Sequence, residues 1–181
     1  MPFTSEYSEV CGQCLKKAPP FSKTINYGLY EGALAEAINL LKFHGLKRFA
    51  KPLGQALSNL SPADVQGIIP VPLSIKRLRE RGFNQSLLIA RVISKKKRIP
   101  LFMDVLMKTN ETPPQTGLSA HERLSNLKNV FKVNGNVKGL RLLLVDDVMT
   151  TGATVTECSK QLMKAGAKEV IVLTLARSSM M

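Results

Sequence analysis

The sequence predicts an α/β protein, a mostly parallel twisted sheet flanked by helices. Three observations point there. Short apolar runs, at Gly67 to Val71, Arg141 to Val145 and Glu169 to Leu175, alternate with segments of helical period. Strands separated in this way by helices join through right-handed crossovers, which makes the sheet parallel. The run Leu142 to Val145 is followed by Asp146 and Asp147, two more apolar residues, and a Thr- and Gly-rich turn that opens a helix. Finally, 181 residues with 44% hydrophobic content suffice for one ordinary domain with a sizeable core.

Taken in order, Pro19 and Pro20 with nearby polar residues read as a short linker. Tyr30 to Phe43 places Leu34, Ala37, Ile38 and Leu41 on one helical face, and its end, Lys42-Phe43-His44-Gly45, combines a cationic last turn with a stop glycine. A second helix spans Lys47 to Leu60, bent or begun afresh near Pro52. Gly67 to Val71 reads as a buried strand ended by Pro70 and Pro72, followed by a basic loop, a helix over Asn84 to Ser94 and a strand near Leu101 to Leu106. Asn110 to Ser119 is a polar loop, Arg141 to Val145 a strand, Val155 to Ala165 an amphipathic helix, and Glu169 to Leu175 the last strand. Asp146 to Ala153 then falls in the loop at a strand's carboxyl end, where open α/β sheets hold their ligands.

The chain carries a formal charge of +13. Between Ser74 and Arg98 stand Lys76, Arg77, Arg79, Arg81, Arg91, Lys95, Lys96, Lys97 and Arg98, against Glu80 as the one acid. Such a field attracts polyanions such as pyrophosphate, nucleotides and nucleic acid. Lys95 to Arg98 taken alone reads more simply as a solvated face. With no Trp and only Tyr7, Tyr27 and Tyr30, no row of stacking aromatics marks a single-strand track. The apolar runs Leu142 to Val145 and Val170 to Leu173 are far too short to span a membrane, so no membrane insertion is expected. Met1 to Val10 lacks the pattern of a signal peptide, and the simplest expectation is a cytoplasmic protein.

Three cysteines argue against a disulfide framework. Cys158 falls in the helix after the Thr-Gly turn, where a small buried thiol is the ordinary reading. Cys11-Gly-Gln-Cys14 has the knuckle spacing of a zinc ribbon, which places two thiolates on one Zn²⁺. A structural zinc needs four ligands, so this is half a site. Truncation of the other pair, a second chain that supplies it, and no metal role at all each fit the pair.

The chemistry of the acidic motif follows from its residue types. Backbone N–H groups freed at a helix start, with the hydroxyls of Thr150, Thr151 and Thr154 beside them, cradle a phosphate, and Gly152 lets the backbone approach closely. The two carboxylates suit sugar hydroxyls, or a divalent cation reached directly or through water. Together they describe a site for a 5-phosphorylated ribose. A Walker A loop and a GxGxxG dinucleotide fingerprint are both absent from this stretch. Receiver domains also carry paired aspartates, but near the chain start. The remaining reading is a buried strand capped by Asp with an ordinary turn.

Over Leu142 to Thr154 the segment resembles the phosphoribosyl pyrophosphate (PRPP) motif of type I phosphoribosyltransferases. Two other stretches fall where such a protein needs anion-binding parts. Pro70-Val71-Pro72-Leu73-Ser74, with Lys76, Arg77, Arg79 and Arg81, leads to Arg81-Gly82-Phe83-Asn84-Gln85. A turn with forward-facing amides and guanidinium groups holds pyrophosphate, since Arg pairs with phosphate oxygens bidentately. Its plainer reading is a proline-stiffened turn with exposed charges. Gln115 to Arg123 is a polar loop entering a short helix, either a lid or a surface loop capped by Ser119 with Glu122.

KFHG, PVPL, RGFNQ, QTGLSAHER with Asn126, and LLLVDDVMTTGAT together resemble the ComF family, which includes the competence-associated ComFC proteins, from about Cys11 to Arg177. The resemblance implies a type I phosphoribosyltransferase core over 21–181, preceded over 1–20 by a remnant of a cysteine zinc-ribbon segment in which only the last CxxC stands. It implies PRPP binding along Asp146, Asp147, Val148, Met149, Thr150, Thr151, Gly152, Ala153 and Thr154. The acids take the ribose hydroxyls, and Thr150 to Thr154 the 5-phosphate. Pro72, Leu73, Ser74 and Arg77 face the pyrophosphate with Mg²⁺, and a loop containing Gln115, Thr116, His121 and Arg123 closes over it.

Two functions are then expected to compete. One is transfer of phosphoribosyl from PRPP to an acceptor, with pyrophosphate released through an oxocarbenium-like state and a link to DNA uptake. The other is a non-catalytic competence protein that binds single-stranded DNA on its basic surface and keeps the sugar-phosphate site as a sensor. No acceptor-recognition signature stands near Thr174, Ala176 and Arg177.

Overall fold

A computed structural model describes residues 18–109 and 130–178. Cys11 and Cys14, and the loop residues Gln115, Thr116, His121 and Arg123, lie outside the described residues. Within them the chain runs β1 (Lys23–Leu29), α1 (Gly32–Lys42), a 3-10 turn (Lys47–Phe49), α2 (Ala50–Leu60), β2 (Gly67–Pro70), α3 (Ile75–Arg81), α4 (Gln85–Lys97), β3 (Leu106–Lys108), β4 (Phe131–Val133), β5 (Arg141–Met149), α5 (Ala153–Lys164) and β6 (Glu169–Arg177).

Four strands form a sheet in the order β1-β6-β5-β2, every neighbouring pair parallel, while β3 and β4 form a small antiparallel hairpin. Central strands of a parallel sheet are covered on both faces, which is why β5 and β6 read as near-continuous apolar runs. Their side chains still alternate. Leu143, Val145, Ile171, Leu173 and Leu175 enter a core with Ile38 and Leu41 of α1, Leu57 of α2, and Ile89 and Ile93 of α4. Leu142, Leu144, Val170 and Val172 enter a second core with Val155, Cys158 and Leu162 of α5 and Phe131 of the hairpin. The sheet therefore separates two apolar layers, as the strand–helix alternation predicts.

Several elements differ from the sequence expectation. The strand bearing the acidic pair extends four residues further than Val145 and includes Asp146 to Met149, so the loop expected over Asp146 to Ala153 begins only at Thr150. The basic loop after β2 is the helix α3, with Ser74 as N-cap and Gly82 as a left-handed C-cap. The strand expected over Leu101 to Leu106 is a single bridge from Leu101 to Ile68, and ladder pairing starts only at Leu106. The edge strand β1 is new: its Thr, Asn and Gly interrupt any apolar pattern, and its only strand neighbour in the sheet is β6. Among the described residues no helix is long and apolar enough to cross a membrane.

The basic stretch divides in two. Lys76, Arg77, Arg79 and Arg81 lie on α3, whereas Lys95, Lys96 and Lys97 occupy the last turn of α4, where cations favour the negative helix end. Helix α4, thirteen residues and about 20 Å long, runs between the corner that follows α3 and the last-turn lysines. Lys95 to Lys97 thus have a structural reason of their own.

Helices α2 and α4 approach closely at Gly54, where an added Cβ would lie 2.6 Å from Val92 Cβ. Gly54→Ala gains roughly 1 kcal/mol of helix propensity, yet overpacking a rigid contact costs about 1–3 kcal/mol. A net loss of stability is expected, measured by urea unfolding; an increase would show that the two helices are free to separate.

Candidate functional site

The site arises because neighbouring strands end at different heights. Strand β2 ends at Pro70 opposite Val145, with Val71 N–H still donating to Val145 O at 2.9 Å. Pro72 then carries the chain away from the sheet, since its ring removes the donor that a further ladder bond needs. Strand β5 continues to Met149, paired on its other side with β6 from Asp146↔Thr174 to Met149↔Arg177. The crevice opens where β2 has left, and Asp146 and Asp147 stand in it.

Both acids are nearly closed off from solvent, at 8% and 4% relative exposure, so their charges need partners. Asp146 Oδ1 accepts from Ser86 Oγ at 3.0 Å and from Asp147 N–H at 2.9 Å. Asp147 Oδ1 accepts from Val148 N–H at 2.9 Å. Asp147 Oδ2 takes no directed hydrogen bond, and its charge is met by the Lys42 ammonium 2.6 Å away. Burial pushes the Asp146 carboxyl from 3.8 up to about 7; the Asp147 charge adds to the rise, while Lys42, the Asp147 amide and Ser86 oppose it. Two adjacent carboxylates in low dielectric share their charge reluctantly.

The segment Arg81-Gly82-Phe83-Asn84-Gln85 is the corner that brings Ser86 to this pair. Gly82 ends α3 in the left-handed conformation and Phe83 is buried. Asn84 caps α4 by accepting from Ser86 N–H and Leu87 N–H, and donates from Nδ2 to Val71 O at 3.0 Å. One side chain thereby fixes the start of α4 against the end of β2. Arg81 donates to Gln85 Oε1 at 2.5 Å, so the first turn of α4 also orients a guanidinium. Burial lowers the Arg81 pKa; Asp147 opposes this, Arg77 adds to it and Glu80 opposes it.

A cavity of about 380 Å³ occupies the crevice. Asp146, Asp147, Val148, Thr150 and Thr154 line it. Pro72, Leu73, Ser74 and Arg77 line it too, together with Arg81, Lys42 and Lys108. The acidic motif with its threonine turn and the stretch Pro72 to Ser74 with Arg77 are therefore brought to one cavity. Ser74 is partly committed elsewhere, since its Oγ accepts from Arg77 N–H at 3.3 Å as the cap of α3.

Of the remaining expected residues, Met149 and Ala153 place their side chains in the apolar layer beneath α5, so only their backbone is available to a ligand. Thr151 Oγ1 accepts from Ala153 N–H at 3.4 Å. Gly152 is the N-cap of α5 at φ 75°, and a Cβ there would also meet Met149 Cε at 2.8 Å. Gly152 offers no side chain as a cap, and beyond the Ala153 N–H taken by Thr151 the next amides of α5 face the turn. Cys158 is fully buried with its pKa raised by burial, consistent with an inert core thiol.

Lys42, Ser86, Lys108, Tyr30 and Phe131 belong to the site but were not singled out for it from sequence. Lys42 was visible in Lys42-Phe43-His44-Gly45, where it read as the cationic end of a helix. Ser86 follows the Arg81 to Gln85 segment by one residue. Lys108 and Phe131 come from the hairpin, whose strands have only three residues each.

Comparison with known proteins gives concordant matches. The family described as phosphoribosyl transferase domain matches residues 69–179. Competence protein F of Haemophilus influenzae is 36% identical over 95% of this chain and 80% of its own length. DNA utilization protein YhgH of Escherichia coli K12 is 35% identical over 93% of this chain and 78% of its own. Competence protein ComFC of Bacillus subtilis is 30% identical over 82% of this chain and 62% of its own.

The raised Asp146 pKa makes stability depend on pH. The folded protein keeps a proton that the unfolded chain releases, so stability falls as pH rises from about 4 to about 7 and levels off above. Roughly 3–4 kcal/mol is at stake on a three-unit shift. Urea unfolding at pH 4.5, 6 and 8 should show this decline in the wild type and lose most of it in Asp146→Asn; parallel slopes in the two proteins would refute it.

Proposed function

Because this chain belongs to the phosphoribosyl transferase domain family and to the ComF group of competence proteins within it, we propose that its cavity binds PRPP with Mg²⁺ and transfers phosphoribosyl to an acceptor. The observation that carries this reading is the convergence, on one cavity, of a buried acidic pair and a threonine turn with the cations Arg77, Arg81 and Lys42. A sugar hydroxyl donates to a carboxylate, whereas phosphates need amides and cations. A ligand with a diol in the middle and phosphates at both ends satisfies both sides at once.

In this reading Asp146 and Asp147 hold the ribose hydroxyls, and the start of α5 with Thr150 and Thr154 takes the 5-phosphate. The turn Pro72 to Ser74 with Arg77 and Arg81 faces the pyrophosphate. Among the described residues no cluster of three or more His, Cys, Asp or Glu could cage a metal. The residues present instead fit a Mg²⁺ that arrives on the phosphates and meets one or both aspartates directly or through water. Bound there, it would offset negative charge on the pyrophosphate.

Transfer breaks the bond between ribose C1 and the pyrophosphate oxygen, and pyrophosphate leaves with the electron pair. Positive charge on the sugar is relieved when the acceptor's lone pair bonds to C1. Arg77 and Arg81 stabilise charge that grows on the leaving oxygen, and a fixed cation is worth more there than in water. The names of the relatives support placing this activity in DNA uptake or DNA utilization. Single-stranded DNA as a partner is supported by the cations of α3 beside Phe43, an exposed ring with Arg81 5.6 Å from its centroid.

The test is titration calorimetry with PRPP and Mg²⁺, together with pyrophosphate release in the presence of candidate acceptors. Combining Asp146→Asn with Asp147→Asn should weaken binding at least ~100-fold, since each lost charge-assisted bond is worth about 1.5–3 kcal/mol. Unchanged affinity in that variant would exclude the sugar site. Binding of PRPP without turnover, joined to tight DNA binding with a steep inverse salt dependence, would replace catalysis by a DNA-binding role with a ligand sensor.

A further inference from the structure

We propose that Lys42 is an exchangeable counter-ion of this site: it neutralises Asp147 in the free protein, yields the Oδ2 oxygen to a ribose hydroxyl, and turns its ammonium to the anionic leaving group. The inference rests on the sugar-phosphate reading above and adds to it a residue and an order of contacts. Asp147 Oδ1 already accepts from Val148 N–H, so Oδ2 is the less engaged acceptor for a sugar. That oxygen is shut off from solvent and takes no hydrogen bond from the protein. Its ion-pair partner among the described residues is Lys42 Nζ at 2.6 Å, in the space that a donating hydroxyl has to enter.

Lys42 is suited to leave. It is the last residue of α1, where its charge also favours the negative helix end, so its stem can swing without moving the helix. Its side chain keeps 22% exposure, against 5% for that of Asp147. It also lines two spaces at once. One is the cavity it shares with Arg77 and Arg81; the other is the neighbouring hollow formed with Phe43, His44, Glu80 and those same arginines. Both arginines border the route that the ammonium would take from the sugar's acids to an anion. A carboxylate without a counter-charge is costly in such a place, and so is a cation facing arginines with no anion between them. One lysine that moves with the ligand meets both demands.

The test compares two ligands that differ in the leaving group. Calorimetry is run with ribose 5-phosphate and with PRPP, each with Mg²⁺, on the wild type, Lys42→Met and Lys42→Arg. Lys42→Met keeps the stem that packs along α1, and thermal unfolding verifies that it folds; Lys42→Gln serves if it does not. Ribose 5-phosphate should bind the Met variant roughly two- to fivefold more tightly, because the part-exposed Lys42 ammonium no longer competes for Oδ2. PRPP should bind it about tenfold more weakly or worse, because a charge-assisted contact to the leaving group is gone. Lys42→Arg should shift neither ligand as far. A lysine with a merely structural role moves both affinities the same way, and that result in a wild type that binds both ligands overturns the Lys42 proposal alone. Failure of the wild type to bind either ligand overturns the sugar-phosphate reading, and this proposal with it.

Discussion

Everything distinctive about this molecule depends on keeping two adjacent carboxylates at the end of a central strand, almost out of reach of water. A strand interior has no solvent to offer a charged group, and a domain's net stability is only about 5–15 kcal/mol. Two uncompensated buried charges would consume it. Each partner of the pair can be understood as an answer to that cost. Ser86 and the backbone amides of Asp147 and Val148 meet one oxygen of each acid, and Lys42 meets another. The compensation is incomplete, as the upward shift of Asp146 records. An acidic pair left short of donors is ready to accept hydroxyls from a ligand.

The helices that supply those partners are held by short local devices. Asn84 caps α4 and ties it to Val71, so the height of Ser86 above the sheet is set by the end of β2. Ser74 caps α3 and Gly82 closes it, which presents Arg77 and Arg81 to the cavity from a helix of seven residues. Pro72, two residues after β2 ends, opens the crevice and begins the turn to Ser74 that lines it. Architecture and site thus share residues.

The alternation of apolar runs and helical periods was legible, and so was the parallel sheet, because buried strands and amphipathic helices must expose their periods in the sequence. The acid pair, the threonine turn and the turn Pro72 to Ser74 were legible as chemistry, since hydroxyl, amide and carboxylate preferences are local properties. The edge strand β1 was not. Its residues Lys23 to Leu29 pair on one side only, and such a strand needs no continuous apolar run. The boundary of β5 was misplaced for a related reason. Two aspartates look like a loop to any hydropathy reading, yet they continue a ladder with β6 because a neighbouring strand supplies the hydrogen bonds.

From its sequence alone, this protein's family, its fold class and the chemical character of the segments that line its cavity were determined, because each is carried by residues near one another in the chain. Tertiary structure alone decided which cations serve the site. Lys42, Arg81 and Lys108 come from α1, α3 and the hairpin, and Lys95 to Lys97, equally basic, are about 15 Å of helix away from the first turn of α4. The physical reason is that electrostatic partnership depends on distance and burial through space, and neither quantity is encoded by proximity along the chain.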